Sequence, residues 1–306
     1  MRYLDVGGAR MSVIGLGTWQ FGTPDWGYGT EYATRVAPAI VRRALELGVT
    51  LIDTAEVYGD GASERIVGAA LRDAPRDAFV ATKLNPILPI PPLVVRAARR
   101  SRDRLQVAQI DLYQVHWPNP FVPVAVQARG LRRVLDLGIA RHVGVSNHSL
   151  GRWQAMERAL GSPVLSNQVE LSLARPRALQ DLVPYAVAND RLVIAYSPLG
   201  QGRLIGPGNP RPNFARRFGR VFGAASTGDL GPLRQIIGEV AAAHEATLAQ
   251  VSLAWLLANP NVVAIPGAHS VAQLESNVVA ADLELTPEER NRLSDAAFDL
   301  AARRGR

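Results

Sequence analysis

Cysteine is absent from the chain, which excludes disulfides, thiolate metal sites and thiol nucleophiles together. Lysine is nearly absent: of 34 basic residues only Lys83 is a lysine, and the other 33 are arginines. Histidine is sparse, at 116, 142, 148, 244 and 269, and no pair has a metal-ligand spacing, so no metal is expected. No apolar run reaches the about 18–20 residues of a membrane-spanning helix. The start, Met1-Arg2-Tyr3-Leu4-Asp5, lacks the apolar centre of a signal peptide. The expectation is a cytoplasmic protein with no membrane partner.

What is present suits a large core: 306 residues, 47% hydrophobic and 20% charged. The 34 basic residues against 27 acidic ones leave a net charge of +7. Arginine pairs such as Arg42-Arg43, Arg99-Arg100 and Arg132-Arg133 fall inside predicted helices, where they read as solvated faces. No basic stretch is interleaved with aromatics, so no nucleic-acid partner is expected. A modest positive field would still favour the approach of an anionic ligand such as a dinucleotide.

Eight short apolar runs alternate with helical patterns: 14–17, 50–53, 79–83, 110–116, 139–146, 164–168, 192–197 and 262–266. Nearly continuous apolar character suits parallel strands buried on both faces. Within 33–47, Val36, Ile40, Ala44 and Leu47 recur at helical spacing, and Gly48 supplies a left-handed stop. Ser149 is the expected N-cap of a helix over 149–160, Pro91-Pro92 opens another, and a last helix covers 287–300. Residues 3–5 and 10–12, turned at Gly7-Gly8, predict a hairpin ahead of the strands. Residues 200–231, rich in Gly, Pro and Arg, read as one long loop. The pattern predicts a single α/β domain over 1–306, a (β/α)8 TIM barrel with an N-terminal β-hairpin and extra C-terminal helices. A Rossmann fold fails: Gln20 stands where the third glycine of Gly15-Leu16-Gly17-Thr18-Trp19-Gln20 should be, and no helix follows.

In such a barrel the C-terminal strand ends share one rim, where active sites are built. Asp53, Lys83, His116, Ser146-Asn147, Asn167-Gln168 and Tyr196-Ser197 stand there, with Tyr58 on the loop after Asp53. A chain that uses arginine for every other cation keeps Lys83 for a role that needs an ammonium. Schiff-base nucleophile and electrostatic partner both fit. Tyr58 selects the second. A cation at about 4 Å stabilises a phenolate by roughly 4 kcal/mol at an effective dielectric of about 20, before desolvation subtracts. Asp53 would hold the lysine charged, and His116 would hydrogen-bond the reacting oxygen. The four together make a proton donor for a carbonyl.

The ordered set of motifs resembles the aldo-keto reductases almost end to end. Gly15-Leu16-Gly17-Thr18-Trp19 resembles the family's first strand, and Leu51-Ile52-Asp53-Thr54-Ala55-Glu56-Val57-Tyr58-Gly59 with Ser63-Glu64 its most specific signature. Ala81-Thr82-Lys83, Gln114-Val115-His116-Trp117-Pro118, Val143-Gly144-Val145-Ser146-Asn147, Asn167-Gln168, Ala195-Tyr196-Ser197-Pro198-Leu199-Gly200 and Ile265-Pro266-Gly267 continue the series. The resemblance implies NADP(H)-dependent reduction of an aldehyde or ketone by hydride from nicotinamide C4. It implies Tyr58 as general acid tuned by Lys83 and Asp53, with His116 orienting the carbonyl. Ser146, Asn147 and Gln168 would hold the carboxamide and Tyr196 would stack on the ring. Gly17, Thr18, Trp19 and Asp53 would also contact the cofactor, with Ser197, Pro198, Leu199, Gln201, Gly202 and Arg203 towards the pyrophosphate. Arg211, Arg216, Arg217 and Arg220 lie further along the same loop.

The adenosine end departs from the family pattern. Gly267, Ala268, His269 and Ser270 stand where a lysine or arginine commonly meets the 2′-phosphate, and Gln273, Ser276 and Asn277 stand where Arg, Glu and Asn are common. Use of NADH is therefore left open. Trp19, Trp26, Tyr58, His116 and Trp117 are the expected substrate pocket, with Tyr28 nearby, and a small-molecule aldehyde or ketone is the expected partner of a default monomer. The alternative is a cofactor-bound regulatory or redox-sensing subunit with little turnover.

Overall fold

A computed structural model describes residues 1–22, 31–72, 78–206 and 229–304. Strands β1 (Tyr3–Val6) and β2 (Ala9–Ser12) form the expected antiparallel hairpin, with Val6 opposite Ala9. The two-residue turn puts Gly7 and Gly8 at φ of 56° and 77°, the left-handed pair that this turn type requires.

Eight parallel strands follow in sequence order: β3 (Leu16–Gly17), β4 (Leu51–Asp53), β5 (Phe79–Leu84), β6 (Ile110–Val115), β7 (Ala140–Ser146), β8 (Ser166–Glu170), β9 (Leu192–Tyr196) and β10 (Val262–Ala264). Each pairs with its chain neighbour. The first and last are joined by parallel bridges, Ile14 to Ala264 and Gly17 to Gly267, in which Gly15 N donates to Ala264 O at 2.8 Å and Ala264 N to Val13 O at 3.0 Å. The sheet thus closes on itself as a (β/α)8 barrel. Helices α1 (Ala37–Glu46), α2 (Ala62–Arg72), α3 (Pro91–Leu105), α4 (Val124–Asp136), α5 (Leu150–Leu160) and α6 (Leu182–Ala188) link successive strands. Two helices, α7 (Gly231–Ala243) and α8 (Leu248–Leu257), precede β10, and α9 (Val271–Val279) and α10 (Pro287–Arg304) follow it.

The helices bury their apolar stripes against the outside of the barrel. A second, smaller cluster fills its lower interior, where Val6, Ala9 and Met11 of the hairpin meet Leu51, Phe79, Leu112, Leu165, Leu192, Ile194 and Val263. The hairpin therefore plugs the end of the barrel opposite the C-terminal strand ends.

Three expectations are corrected. Residues 33–47 do not form one regular helix, because a π-helical turn over Tyr32–Val36 precedes α1. Ala37 N reaches back five residues to Tyr32 O, and the next position, Pro38, has no N–H with which to continue the ordinary ladder. The sixth strand begins at Ser166, not Val164, because Val164 N donates to the Glu157 carboxylate at 3.0 Å instead of joining the ladder. Ser149 does stand before α5, in extended conformation, yet its side chain caps no amide. Of the long loop over 200–231, residues 207–228 lie outside the described residues, as do Trp26 and Tyr28 of the expected pocket and Arg211, Arg216, Arg217 and Arg220.

Candidate active site

The strand pleat aims Asp53 and Lys83 into the barrel near its open end, where both side chains are buried. Lys83 uses three donors: Asp53 Oδ2 at 2.6 Å, Thr54 O at 2.8 Å and Tyr58 Oη at 3.3 Å. Tyr58 rides on the turn between β4 and α2, which is closed by Tyr58 N to Ala55 O and Ser63 N to Tyr58 O. His116, one residue beyond β6, faces the edge of the Tyr58 ring at 5.7 Å between centroids and lies 4.7 Å from Trp117. The four residues singled out for proton transfer thus meet, although they come from three strand ends.

Burial sets their protonation. It pushes the Tyr58 phenol well above its ordinary range, and the Asp53 charge pushes the same way. This corrects the expectation that Lys83 makes Tyr58 more acidic: desolvation dominates, and the lysine arrives already matched by a carboxylate. Burial, with help from Lys83, holds the His116 imidazole well below its ordinary value and therefore neutral. Burial also raises Asp53 and lowers Lys83, while their mutual contact opposes both. The His116 Nδ1 atom is buried without a hydrogen-bond partner among the described residues.

Beside this cluster lies a lattice of polar groups. Asp53 Oδ1 accepts from Gln168 Nε2 at 2.7 Å. The Gln168 backbone carbonyl accepts from Ser146 Oγ at 2.8 Å and from Asn147 N at 2.8 Å. Asn147, at φ 58°, donates its amide to His116 O and Ser146 Oγ, and its Oδ1 accepts from the Tyr196 hydroxyl at 2.9 Å. Ser146, Asn147, Gln168 and Tyr196 therefore gather at one place, as the sequence suggested.

Other candidates are turned elsewhere. Thr18 is fully buried, with Oγ1 against Asp53 O and Ser63 Oγ, so its side chain braces the β4 end. Gly17 sits in the closing seam, where a Cβ would stand 2.7 Å from Ile265 O. Trp19 is half-buried just beyond it. Ser197, Gln201 and Gly202 have positive φ in a turn that runs through Pro198, Leu199 and Arg203. The Gln273 side chain accepts from His269 N at 2.8 Å, Asn277 is buried on α9, and burial lowers the His269 imidazole. A Cβ on Gly267 would meet the Gln20 amide at 3.1 Å.

The sequence profile of the aldo/keto reductase family matches residues 13–297. The chain belongs to that family. It is 52% identical over 300 residues to an uncharacterized oxidoreductase of Mycobacterium tuberculosis, covering 97% of this chain and 93% of that one. Methylglyoxal reductase YeaE of Escherichia coli is 32% identical over 292 residues, covering 95% and 92%. The aldo-keto reductase of Klebsiella pneumoniae, whose crystal structure is in complex with NADPH, superposes with a TM-score of 0.78 at 29% identity, covering 96% and 94%.

Sequence reasoning missed two supports of this aldo/keto reductase site. Glu64, fully buried, accepts from Thr82 Oγ1 at 2.6 Å and Arg104 Nε at 2.5 Å, fastening α2 to β5 behind Lys83. His148 Nδ1 meets Ser146 O at 2.8 Å, and Asn167 Nδ2 donates to His148 O at 2.8 Å, bracing the left-handed Asn147. A glutamate three residues into the α2 stripe was the available signal for the first. Among the described residues, no cluster of His, Asp and Glu could hold a metal.

Proposed function

We propose that the chain is an NADP(H)-dependent carbonyl reductase in which Tyr58 donates the proton to the carbonyl oxygen of an aldehyde or ketone. The observation that carries this reading is the Lys83 ammonium, bound at once to Asp53 Oδ2 and Tyr58 Oη. Tyr58 remains protonated at neutral pH, so the acid is always loaded. As its proton leaves for the substrate oxygen, the nascent phenolate gains about 5 kcal/mol from the nearby ammonium at an effective dielectric of about 20, and Asp53 offsets part of that. Neutral His116 orients the carbonyl by hydrogen bonding without competing as the acid.

The residues present fit a nicotinamide cofactor. Gln168 commits its nitrogen to Asp53 and leaves its side-chain carbonyl to accept. Beside it the Ser146 hydroxyl, now donating to Gln168 O, and the Asn147 amide, now donating to His116 O and Ser146 Oγ, would turn to the ligand. That donor and acceptor set suits a carboxamide. When bound there, a nicotinamide would supply the hydride that the carbonyl carbon needs. Tyr196 would flank the ring, with Gly17, Trp19, Ser197, Pro198, Leu199, Gln201, Gly202, Arg203, Gly267, His269, Gln273 and Asn277 along the rest of the dinucleotide. Neutral His269 is a weaker anion partner than an arginine, which makes NADH a usable second cofactor.

The test is oxidation of NADPH, followed by absorbance, with a panel of small aldehydes and ketones. Tyr58→Phe is expected to lower turnover about 10²–10⁴-fold while quenching of tryptophan fluorescence shows NADPH still bound. Undiminished turnover in that variant refutes the mechanism.

A further inference from the structure

At the open end of the barrel two loops share an apolar tip to which carbonyl reduction gives no role. Residues 85–95, leading from β5 into α3, contain no charged side chain, and neither do residues 117–128, leading from β6 into α4. Four of the nine exposed large apolar side chains among the described residues fall in these two stretches. Phe121 at 89% and Ile87 at 76% are the most exposed of the nine, and Leu88 and Leu93 complete the set.

Buried Asn119 fastens the two loops together. Its Nδ2 donates to Pro86 O at 2.7 Å and to Ile87 O at 3.1 Å, while its Oδ1 accepts from Phe121 N and Val122 N, both at 2.8 Å. Gln127 Nε2 holds the second loop at Val122 O, 2.7 Å away. The tip is therefore a fixed structure that presents apolar side chains to water. A lone exposed leucine is ordinary, but a fixed cluster of this kind marks a surface for a partner.

Arginine begins directly behind the tip. The first charged residue after each uncharged stretch is an arginine, Arg96 on α3 and Arg129 on α4, with Arg99, Arg100 and Arg133 beyond them. All five are exposed on neighbouring helices packed so closely that a Cβ on Gly130 would stand 2.8 Å from Val94. Among the described residues none of the five forms an ion pair; the pairs of α3 are made by Arg102 and Arg104. The acidic residues of the two helices, Asp103 and Asp136, stand at their far ends.

Arg96 and Arg129 each lie five residues past the first residue of their helix, about 8 Å along its axis. Helical side chains lean towards the N-terminus, so these guanidinium groups reach back towards the tip. A protein that lies on a bilayer sinks its apolar face about 5–10 Å into the boundary between headgroups and acyl chains. With the tip at that depth, Arg96 and Arg129 are level with the lipid phosphates.

We propose that this tip and its arginine collar bind the surface of an anionic lipid bilayer. The expectation of no membrane partner rested on the lack of a spanning helix and of a signal peptide, and a protein that lies on a membrane needs neither. The unpaired arginines select an anionic partner, and the projecting, uncharged tip selects a fluid one. A folded partner would have to offer a matching pocket, whereas headgroups part around any shape.

Sedimentation with sucrose-loaded vesicles tests this without substrate or cofactor. Vesicles of equal parts phosphatidylcholine and phosphatidylglycerol should carry the wild-type protein down, and phosphatidylcholine alone should not. One arginine near an anionic surface changes the partition about fivefold, so Arg96→Gln/Arg129→Gln should weaken binding about 25-fold. Phe121→Ser, which loses a ring that would leave water, should weaken it about tenfold. Both variants change exposed side chains and should keep the wild-type circular dichroism. As a control, Arg42→Gln/Arg72→Gln removes the same charge from exposed positions on α1 and the far end of α2. Beyond a Debye length of about 10 Å it should leave binding within about twofold of the wild type. Equal loss in the control shows that net charge alone drives binding and overturns the proposal. So does wild-type protein that stays in solution with the anionic vesicles, or that pellets equally well with phosphatidylcholine alone. A dimer in gel filtration that Phe121→Ser converts to a monomer, with no vesicle binding, overturns it too and gives the tip to a second copy of this chain.

Discussion

Replacing Lys83 by methionine isolates the buried ion pair, because methionine keeps the volume and removes the charge. In the wild type the ammonium and carboxylate are 2.6 Å apart, and neither side chain is more than 3% exposed. Lys83→Met leaves Asp53 with the Gln168 donor alone, and Thr54 O without its ammonium donor. Removing one partner of a buried pair costs about 3–5 kcal/mol, whereas replacing both by neutral groups is often close to neutral. Lys83→Met should therefore lose about that much stability at pH 7, and Lys83→Met/Asp53→Asn should return to within about 1–2 kcal/mol of the wild type. The pH dependence has a sign. The stranded carboxyl in Lys83→Met has its folded pKa raised above the unfolded value, so below that folded pKa the native form holds a proton the unfolded chain lacks, and the deficit shrinks by about 1.4 kcal/mol per pH unit as pH falls from there towards the unfolded value. Urea unfolding followed by tryptophan fluorescence and circular dichroism at pH 7 and pH 5 measures Lys83→Met, Asp53→Asn and the double variant. A loss below about 1 kcal/mol for Lys83→Met would refute the reasoning. So would a double variant as unstable as the two singles added together.

Two further outcomes concern the supports of the site. Burial lowers the His148 imidazole to about 4, against an ordinary value near 6.5; the gap is worth about 3 kcal/mol of stability, present above pH 6.5 and lost as pH falls from there towards 4. A His148→Phe variant should show a shallower fall of Tm over that range, and an unchanged slope would remove His148 from the account. Gly144 lies level with Lys83 across β6, and a Cβ there would stand 2.2 Å from Ser166 Oγ and 3.0 Å from Gln114 Cγ. Gly144→Ala should cost about 1–3 kcal/mol by overpacking, and adding Ser166→Ala should recover part of it. Equal stability of the two variants in urea would show that the strain lies elsewhere.

The barrel was legible in the sequence because buried parallel strands are short and almost wholly apolar, and because polar residues then mark where each one ends. Lys83 stood out only because the chain uses arginine everywhere else. The π-helical turn before Ala37 could have been suspected from Pro38, but the missing amide has several possible remedies and the sequence does not choose one. The Gln168–Asp53 and Glu64–Arg104 contacts join residues far apart in the chain, and no local period encodes them. The direction of the Tyr58 shift was misjudged for a related reason. A charge partner can be guessed from a motif, whereas the loss of water around a phenol depends on everything packed against it.

The seam that closes the barrel joins Ile14–Gly17 to Ala264–Gly267, and this has a consequence during synthesis on the ribosome. β3 emerges about 250 residues before β10, an interval of about 12–50 s at about 5–20 residues per second. Until then the curled sheet has two raw edges, each with unpaired backbone amides and carbonyls that another chain could capture. The glycines at 15 and 17, crowded by Leu51 and the Ile265 carbonyl, make the seam tight once formed but give it nothing to hold while it waits. Slow translation of the last third of the message should therefore lower the soluble yield without changing any contact in the finished protein.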